Sequence, residues 1–283
     1  MDGRTVFTSR QEIERAISAA RLQGKSIGFV PTMGALHEGH IALVKRAVLE
    51  CEYVVVSIFV NPTQFNNPKD LELYPRMLEK DVDMLKDFNN VVVFAPTVDQ
   101  VYPSNDSFPG VDLEGLDAVL EGEFRPGHFQ GVVHVVYNFF QIVQPDFAYF
   151  GLKDFQQVAV IEHMVRQLEL KVKIIPCPTL REKSGLAMSS RNLRLTEQQK
   201  SDALIIHATL NAMVQKAIEL TPNEVAEFAR DLFNSGKLKL EYLEIVDPHS
   251  LQKLSNQWVK GAVCCIAAFC GDVRLIDNLL IKP

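Results

Sequence analysis

Short apolar runs alternate with amphipathic helical segments through the first two-thirds of this chain, and Gly or Pro marks most changes of period. Residues 26–30 form a brief apolar run, the stretch from Pro31 to Gly39 interrupts it, and residues 40–50 resume with Ile41, Val44 and Val48 on one helical face. Residues 53–60 are almost continuously apolar, the pattern of a strand buried on both faces. An amphipathic helix over 11–22 precedes this unit, with Ile13, Ala16, Ile17 and Ala20 at helical spacing and Ser9 as its cap. Helix-then-strand pairs follow at 76–88 and 91–95, at 129–143 and 147–150, and at 154–168 and 172–175. Alternation of this kind predicts an α/β fold, a Rossmann-like, doubly wound parallel sheet.

The pattern changes near residue 176, where Pro176 and Pro178 are expected to stop the last parallel strand. Thr196 is placed to cap a long helix, and Thr221-Pro222 to start another. Strand-like runs at 240–246, 263–269 and 274–281 then predict a smaller C-terminal α+β domain. The expected division is a larger Rossmann-like domain over 1–178 and a small domain over 179–283. A chain of 283 residues with 47% hydrophobic and 23% charged residues can bury cores of this size.

A net charge of −6 argues against nucleic acid as a partner, so positive charge for an anionic substrate must be gathered locally. The five cysteines are odd in number and show no Cys-x-x-Cys, which predicts buried free thiols in a reducing compartment. The first residues, Met1 to Thr8, contain no apolar leader core, and no apolar stretch approaches the ~18 residues of a membrane span. The expected location is the cytoplasm, without a membrane partner.

The chemistry concentrates in loops that follow the predicted parallel strands. Met33, Gly34, Ala35, Leu36, His37, Glu38, Gly39 and His40 lie after the first long strand and open a helix. A helix N-terminus there offers free N–H groups to phosphate, and two imidazoles three residues apart can face one anion. A metal site would need at least a third protein ligand. Lys153, between Leu152 and Asp154 at a second strand-to-helix crest beginning at Gly151, is either a phosphate partner or a solvated lysine beside a capping Asp154. Met188, Ser189, Ser190 and Arg191 suit a loop that closes over a polyphosphate, although such a run is common on surfaces. Gln64 and Gln157 are neutral amides in strand-end positions, able to orient hydroxyls and a carboxylate. Glu121, Arg125 and His128 either line a site or form a local salt bridge.

Taken in order, the segments 31–40, 59–65, 125–129, 151–157 and 188–192 resemble those of the pantothenate synthetase (pantoate–β-alanine ligase) family, over essentially the whole chain. The first and last are variants of the signatures of the wider nucleotidylyl-transferase superfamily. The resemblance implies an AMP-forming ligase that joins (R)-pantoate to β-alanine with ATP through a pantoyl-adenylate. It implies Mg²⁺ with ATP, no tightly bound organic cofactor, and a homodimer. It implies ATP contacts from residues 33–40, from Gly151, Leu152, Lys153 and Asp154, from Leu180, and from Met188 to Arg191. His40 would be the proton donor, with His37, Lys153 and Arg191 beside it in catalysis. Gln64 would touch pantoate and β-alanine, Gln157 would hold pantoate, and Asp81 is a metal candidate although its neighbour is Lys80. Leu152 stands where the family usually has Glu and Leu180 where it has Val, and both are expected to meet the nucleotide through backbone. The alternatives are a relative that transfers a nucleotidyl group to a phosphate or alcohol, and a nucleotide sensor without chemistry. The segment around 183–192 is expected to act as a lid that keeps water from the adenylate.

Overall fold

The computed structural model describes residues 5–281. Six parallel strands, β1 (Val6–Phe7), β2 (Ile27–Thr32), β3 (Tyr53–Ile58), β4 (Val91–Phe94), β5 (Phe147–Gly151) and β6 (Lys173–Cys177), lie in the order β1-β4-β3-β2-β5-β6. Between them run α1 (Arg10–Leu22), α2 (Glu38–Glu50), α3 (Pro68–Glu72), α4 (Leu78–Met84), α5 (Val98–Val101), α6 (Glu121–Phe124), α7 (His128–Val143) and α8 (Phe155–Gln167). The remainder comprises α9 (Glu197–Asp202), α10 (Leu204–Lys216) and α11 (Pro222–Asn234), followed by an antiparallel sheet of β7 (Lys239–Val246), β8 (Val263–Cys270) and β9 (Val273–Leu280). The Rossmann-like sheet and the smaller α+β unit are both as expected. Met1 to Arg4, on which part of the expectation about a leader rests, lie outside the described residues. No helix among the described residues is long and apolar enough to cross a membrane.

The central strands are apolar throughout because both faces are covered. In β2, Ile27 and Phe29 pack with the cluster that contains Ile13 of α1 and Phe139 of α7, while Val30 packs with Val44 of α2. In β3, Val55 faces the first cluster, and Val54 and Val56 face the second. Burying side chains of this kind stabilises the fold by roughly 1.5–3 kcal/mol each. The small sheet follows the same rule. Cys264, Ile266 and Ala268 pack on Leu210 and Phe233, whereas Cys265 and Ala267 join the cluster of the first sheet's helices. All five cysteines are buried free thiols.

Several boundaries differ from expectation. β6 runs through Pro176 to Cys177 instead of stopping before it. It is an edge strand, and a proline that donates no hydrogen bond is tolerated there. The helix expected over 76–88 is only Leu78–Met84, after which Leu85 and Lys86 bond to carbonyls three residues back and tighten the chain into turns. The long helix expected after Thr196 is two, α9 and α10, meeting at Ala203. Thr196 and Thr221 both form capping boxes, with Gln199 and Glu224. β1 is two residues long, too short for a period to register.

On one side of β2 the sheet continues to β3, and on the other to β5. The carboxyl ends of β2 and β5 therefore flank the topological switch point, where open α/β sheets leave a ligand crevice.

Candidate active site

The loop after β2 turns sharply into α2. Gly34 has φ 81° and Ala35 has φ 49°, a conformation costly for a residue with a Cβ. Asp81 holds this turn in place. Its carboxylate accepts Ala35 N–H at 2.9 Å and Leu36 N–H at 2.7 Å, and the residue is 1% exposed. Asp81 thus clamps the loop from beneath and lines neither of the two large cavities, so the structure gives it a part other than metal ligand.

His37 is the N-cap of α2, with Nδ1 accepting Gly39 N–H at 3.1 Å. His40 reaches back, its Nδ1 accepting His37 N–H at 3.3 Å. The two rings lie 4.1 Å apart between centroids. A Cβ at position 39 would stand 2.8 Å from the His37 ring, so glycine is required for the imidazole to sit where it does. Because each Nδ1 is an acceptor, the proton of a neutral ring sits on Nε2 and is free for a ligand. Burial, then the nearby Lys153, lowers the His37 pKa to about 4. Burial, then His37 and Lys153, lowers that of His40 to about 3. At neutral pH the pair is therefore a set of two neutral N–H donors, not the two cations a His pair facing phosphate suggests.

Gln64 ends a 3₁₀ turn, Pro62–Gln64, pressed onto α7. Its Oε1 accepts Asn61 Nδ2–H at 3.0 Å, and its Nε2 lies 3.2 Å from the Met33 sulfur. Its carbonyl accepts from His128 Nδ1 at 2.8 Å. Asn61, 1% exposed, is the hub of this corner: Nδ2 also donates to Gly131 O, and Oδ1 accepts the Tyr102 hydroxyl at 2.7 Å. The sequence pattern singles out Gln64 and not Asn61, so this role was not foreseen. The only available signal was an Asn three residues before the Gln it supports. Gln157 lies in the first turn of α8, and its amide has no hydrogen-bond partner among the described residues.

Lys153 and Asp154 sit in a 3₁₀ turn after β5, 3.3 Å apart. Asp154 occupies the N-cap position of α8 but makes no capping bond, because its carboxylate faces the Lys153 ammonium instead. Burial pushes its pKa up, yet Lys153, Arg191 and Arg125 outweigh that and hold it below the usual carboxylate range. Across the crevice, Ser189 accepts Arg191 N–H at 3.3 Å, Ser190 meets the Tyr74 hydroxyl at 3.4 Å, and Arg191 pairs with Asp70 at 3.0 Å. A Cβ at position 39 would stand 3.6 Å from Met188 Cβ, so the residue before the Ser-Ser-Arg run lies beside the His loop.

These groups share one cavity of about 220 Å³, lined by Met33, His37, Gly39, His40, Gln64, Gly151, Lys153, Asp154, Gln157, Leu180, Ser189, Ser190 and Arg191. Gly34, Ala35 and Leu36 lie buried below its wall, Glu38 is exposed outside it, and Leu152 lines neither it nor the larger cleft. The Leu152 and Lys153 carbonyls both accept from Asn278 Nδ2 at 2.8 Å. A cleft of about 630 Å³ opens beside the cavity toward β7–β9 and shares Phe65, Arg125, Lys153, Asp154, Ser189 and Arg191 with it.

Comparison with known proteins identifies the family. Residues 5–280 match the model of the Pantoate-beta-alanine ligase family. The chain is 48% identical over 280 residues to a pantothenate synthetase of Bacteroides thetaiotaomicron, covering 98% of this chain and 99% of that one. It is 48% identical to one of Porphyromonas gingivalis, covering 97% and 98%. The crystal structure of pantothenate synthetase from Thermus thermophilus superposes with a TM-score of 0.92 at 40% identity, covering 99% and 100%. That of pantoate-beta-alanine ligase from Francisella tularensis, complexed with beta-gamma ATP and beta-alanine, superposes at 0.80 and 36% identity, covering 99% and 98%. The chain belongs to the pantoate–β-alanine ligase family, the pantothenate synthetases.

Proposed function

We propose that the cavity at the β2–β5 switch point is where this enzyme condenses (R)-pantoate with β-alanine, using ATP, through a held pantoyl-adenylate. The observation that carries the reading is the convergence of the two imidazoles, Lys153, the Ser189–Arg191 turn, Gln64 and Gln157 on one 220 Å³ space. A carboxylate has no leaving group that an amine can displace at neutral pH. In the first step a pantoate oxygen attacks the α-phosphorus and the bond to pyrophosphate breaks. In the second the free amine of β-alanine attacks the acyl carbon, AMP leaves with the bonding pair, and the amine nitrogen loses a proton.

Both steps place new charge on oxygens that are already anionic, so fixed donors and positioning should supply most of the rate. His37 and His40 donate Nε2–H hydrogen bonds to the phosphates as pyrophosphate departs, and His40 becomes a proton donor only where bound phosphate charge raises its pKa. Residues 33–40, Gly151 to Asp154, Leu180 and Met188 to Arg191 form the ATP side. Gln64 and Gln157 orient pantoate, and Gln64 also meets β-alanine. The small unit over 179–283 brings the Ser-Ser-Arg turn over the first, and its closure excludes water. The described residues contain no group of three His, Cys, Asp or Glu able to hold a metal. Mg²⁺ would therefore be held chiefly by phosphate oxygens and water, with Asp154 the carboxylate on the cavity wall, and it would neutralise phosphate charge. A homodimer belongs to the same proposal, and light scattering that returns the mass of one chain would remove it.

The test is to follow AMP and pyrophosphate separately while pantoate and then β-alanine are added. AMP release should require both acids, whereas a nucleotidyl transferase would need no amine and a sensor would release no pyrophosphate. His40→Ala should keep its fold by circular dichroism and lose about 10²–10³ in the rate of pyrophosphate release. Near-wild-type turnover would defeat the assignment.

A further inference from the structure

The Lys153 turn and the Ser189–Arg191 turn face each other across the crevice, and both can grip one triphosphate only if their spacing is fixed. Lys153 is hydrogen-bonded to its neighbour Asp154 and Arg191 to Asp70, so these side chains do not tie the two segments together.

What the two segments share is β9. Asn278 lies in this strand, 9% exposed, and its Nδ2 reaches the carbonyls of Leu152 and Lys153, each at 2.8 Å. Both partners are oxygens that only accept, so the amide is oriented one way, with its two N–H bonds on the turn. Asp277, one residue earlier, is 4% exposed and accepts both ends of the Arg181 guanidinium, at 2.6 and 2.9 Å. Arg181 also donates to Gly185 O at 3.2 Å. It thereby closes a tight hairpin, in which Arg181 pairs with Ala187 and Met188 N–H donates to Leu180 O at 3.0 Å. The chain passes from that hairpin directly into Ser189.

Successive residues of one strand point to opposite faces, so neighbours can hold two different segments. The strand itself is anchored along β8, with Asp277 opposite Ile266 and Asn278 opposite Cys265. Apolar packing alone would join the two units without setting a distance. Hydrogen bonds are directional, and an amide that spends both donors on consecutive carbonyls fixes where the turn sits.

We infer that Asn278 is a positioning residue for adenylate formation: with Asp277 beside it, it sets the spacing between the Lys153 turn and the Ser189–Arg191 turn. This rests on the assignment of those two turns to the phosphates of ATP. The amine-dependent step begins after pyrophosphate has left, so a misplaced Lys153 turn costs the first step and spares the second.

The experiment measures two rates in wild type, Asn278→Asp, Asn278→Ala, Lys153→Ala and the double variant of Asn278→Ala with Lys153→Ala. One is single-turnover release of pyrophosphate from ATP and pantoate without β-alanine. The other is AMP release when β-alanine is added to enzyme already loaded with the adenylate. Asn278→Asp keeps the shape of the side chain but turns oxygen toward both carbonyls, and should lose about 100-fold in the first rate. Asn278→Ala should lose about 10-fold. Both should keep the second rate. In the Lys153→Ala background the change at 278 should cost almost nothing, because its effect runs through the turn that carries Lys153. Equal losses in both steps, additive losses in the double variant, wild-type pyrophosphate release by both Asn278 variants, or failure of both to fold by circular dichroism would each overturn the inference. Wild-type pyrophosphate release by Lys153→Ala would instead overturn the reading of the cavity itself.

Discussion

A histidine at the mouth of a helix is easily taken for a cation, and here the local hydrogen bonding argues otherwise. His37 and His40 spend their Nδ1 lone pairs on backbone N–H groups of the first turn of α2, and burial disfavours a second proton. His128 is likewise held low, at about 4, by burial and by Arg125. The consequence for stability has a definite sign. As pH falls below about 6.5, the unfolded chain takes up protons that the folded rings refuse, so stability present above that pH is lost toward pH 4. The urea midpoint should therefore drop between pH 7 and pH 4.5, and His128→Asn should drop less steeply than wild type. Identical slopes would show that this ring does not contribute. The sequence exposed these histidines by their spacing, but their tautomers depended on which backbone groups the fold brought to them.

At the level of elements, the turn that presents Gln64 is set by how closely α7 approaches it. A Cβ at Gly131 would stand 2.4 Å from Thr63 O and 2.9 Å from Gln64 Cα. Gly131→Ala must push the turn away from the helix, at a cost of about 1–3 kcal/mol from overpacking. We expect a lower Tm together with a raised KM for pantoate, while an unchanged KM would mean that the turn moves without carrying Gln64. Nothing in the sequence around Gly131 indicates this contact, because its partner lies some seventy residues earlier. The elements that periodicity did locate, such as α1, β3 and α7, have a continuous burial pattern of their own. The short helices α3, α5 and α6 do not, and they were not foreseen.

For the whole molecule, the tie between the two sheets is electrostatic as well as apolar. Glu121, 6% exposed, receives Arg274 of β9 and Tyr242 of β7, and Arg274 also pairs with Glu241. Gln156 of α8 accepts Glu121 N–H at 2.9 Å and fixes the backbone beneath it. Glu121→Ala removes the carboxylate that Arg274 and Tyr242 share while Arg274 keeps Glu241, and denaturant unfolding should report a loss of about 1–3 kcal/mol. A loss within experimental error would place the tie between units in the apolar contact alone. The amino-acid sequence by itself determined the parallel sheet, the smaller α+β unit and the loops proposed to carry the chemistry, because apolar period, caps and Gly-Pro punctuation are local properties of the chain. Tertiary structure alone decided that Asp81 clamps a backbone turn, that the imidazoles are neutral and that Asn278 holds the Lys153 turn, because each depends on burial and on partners remote in sequence.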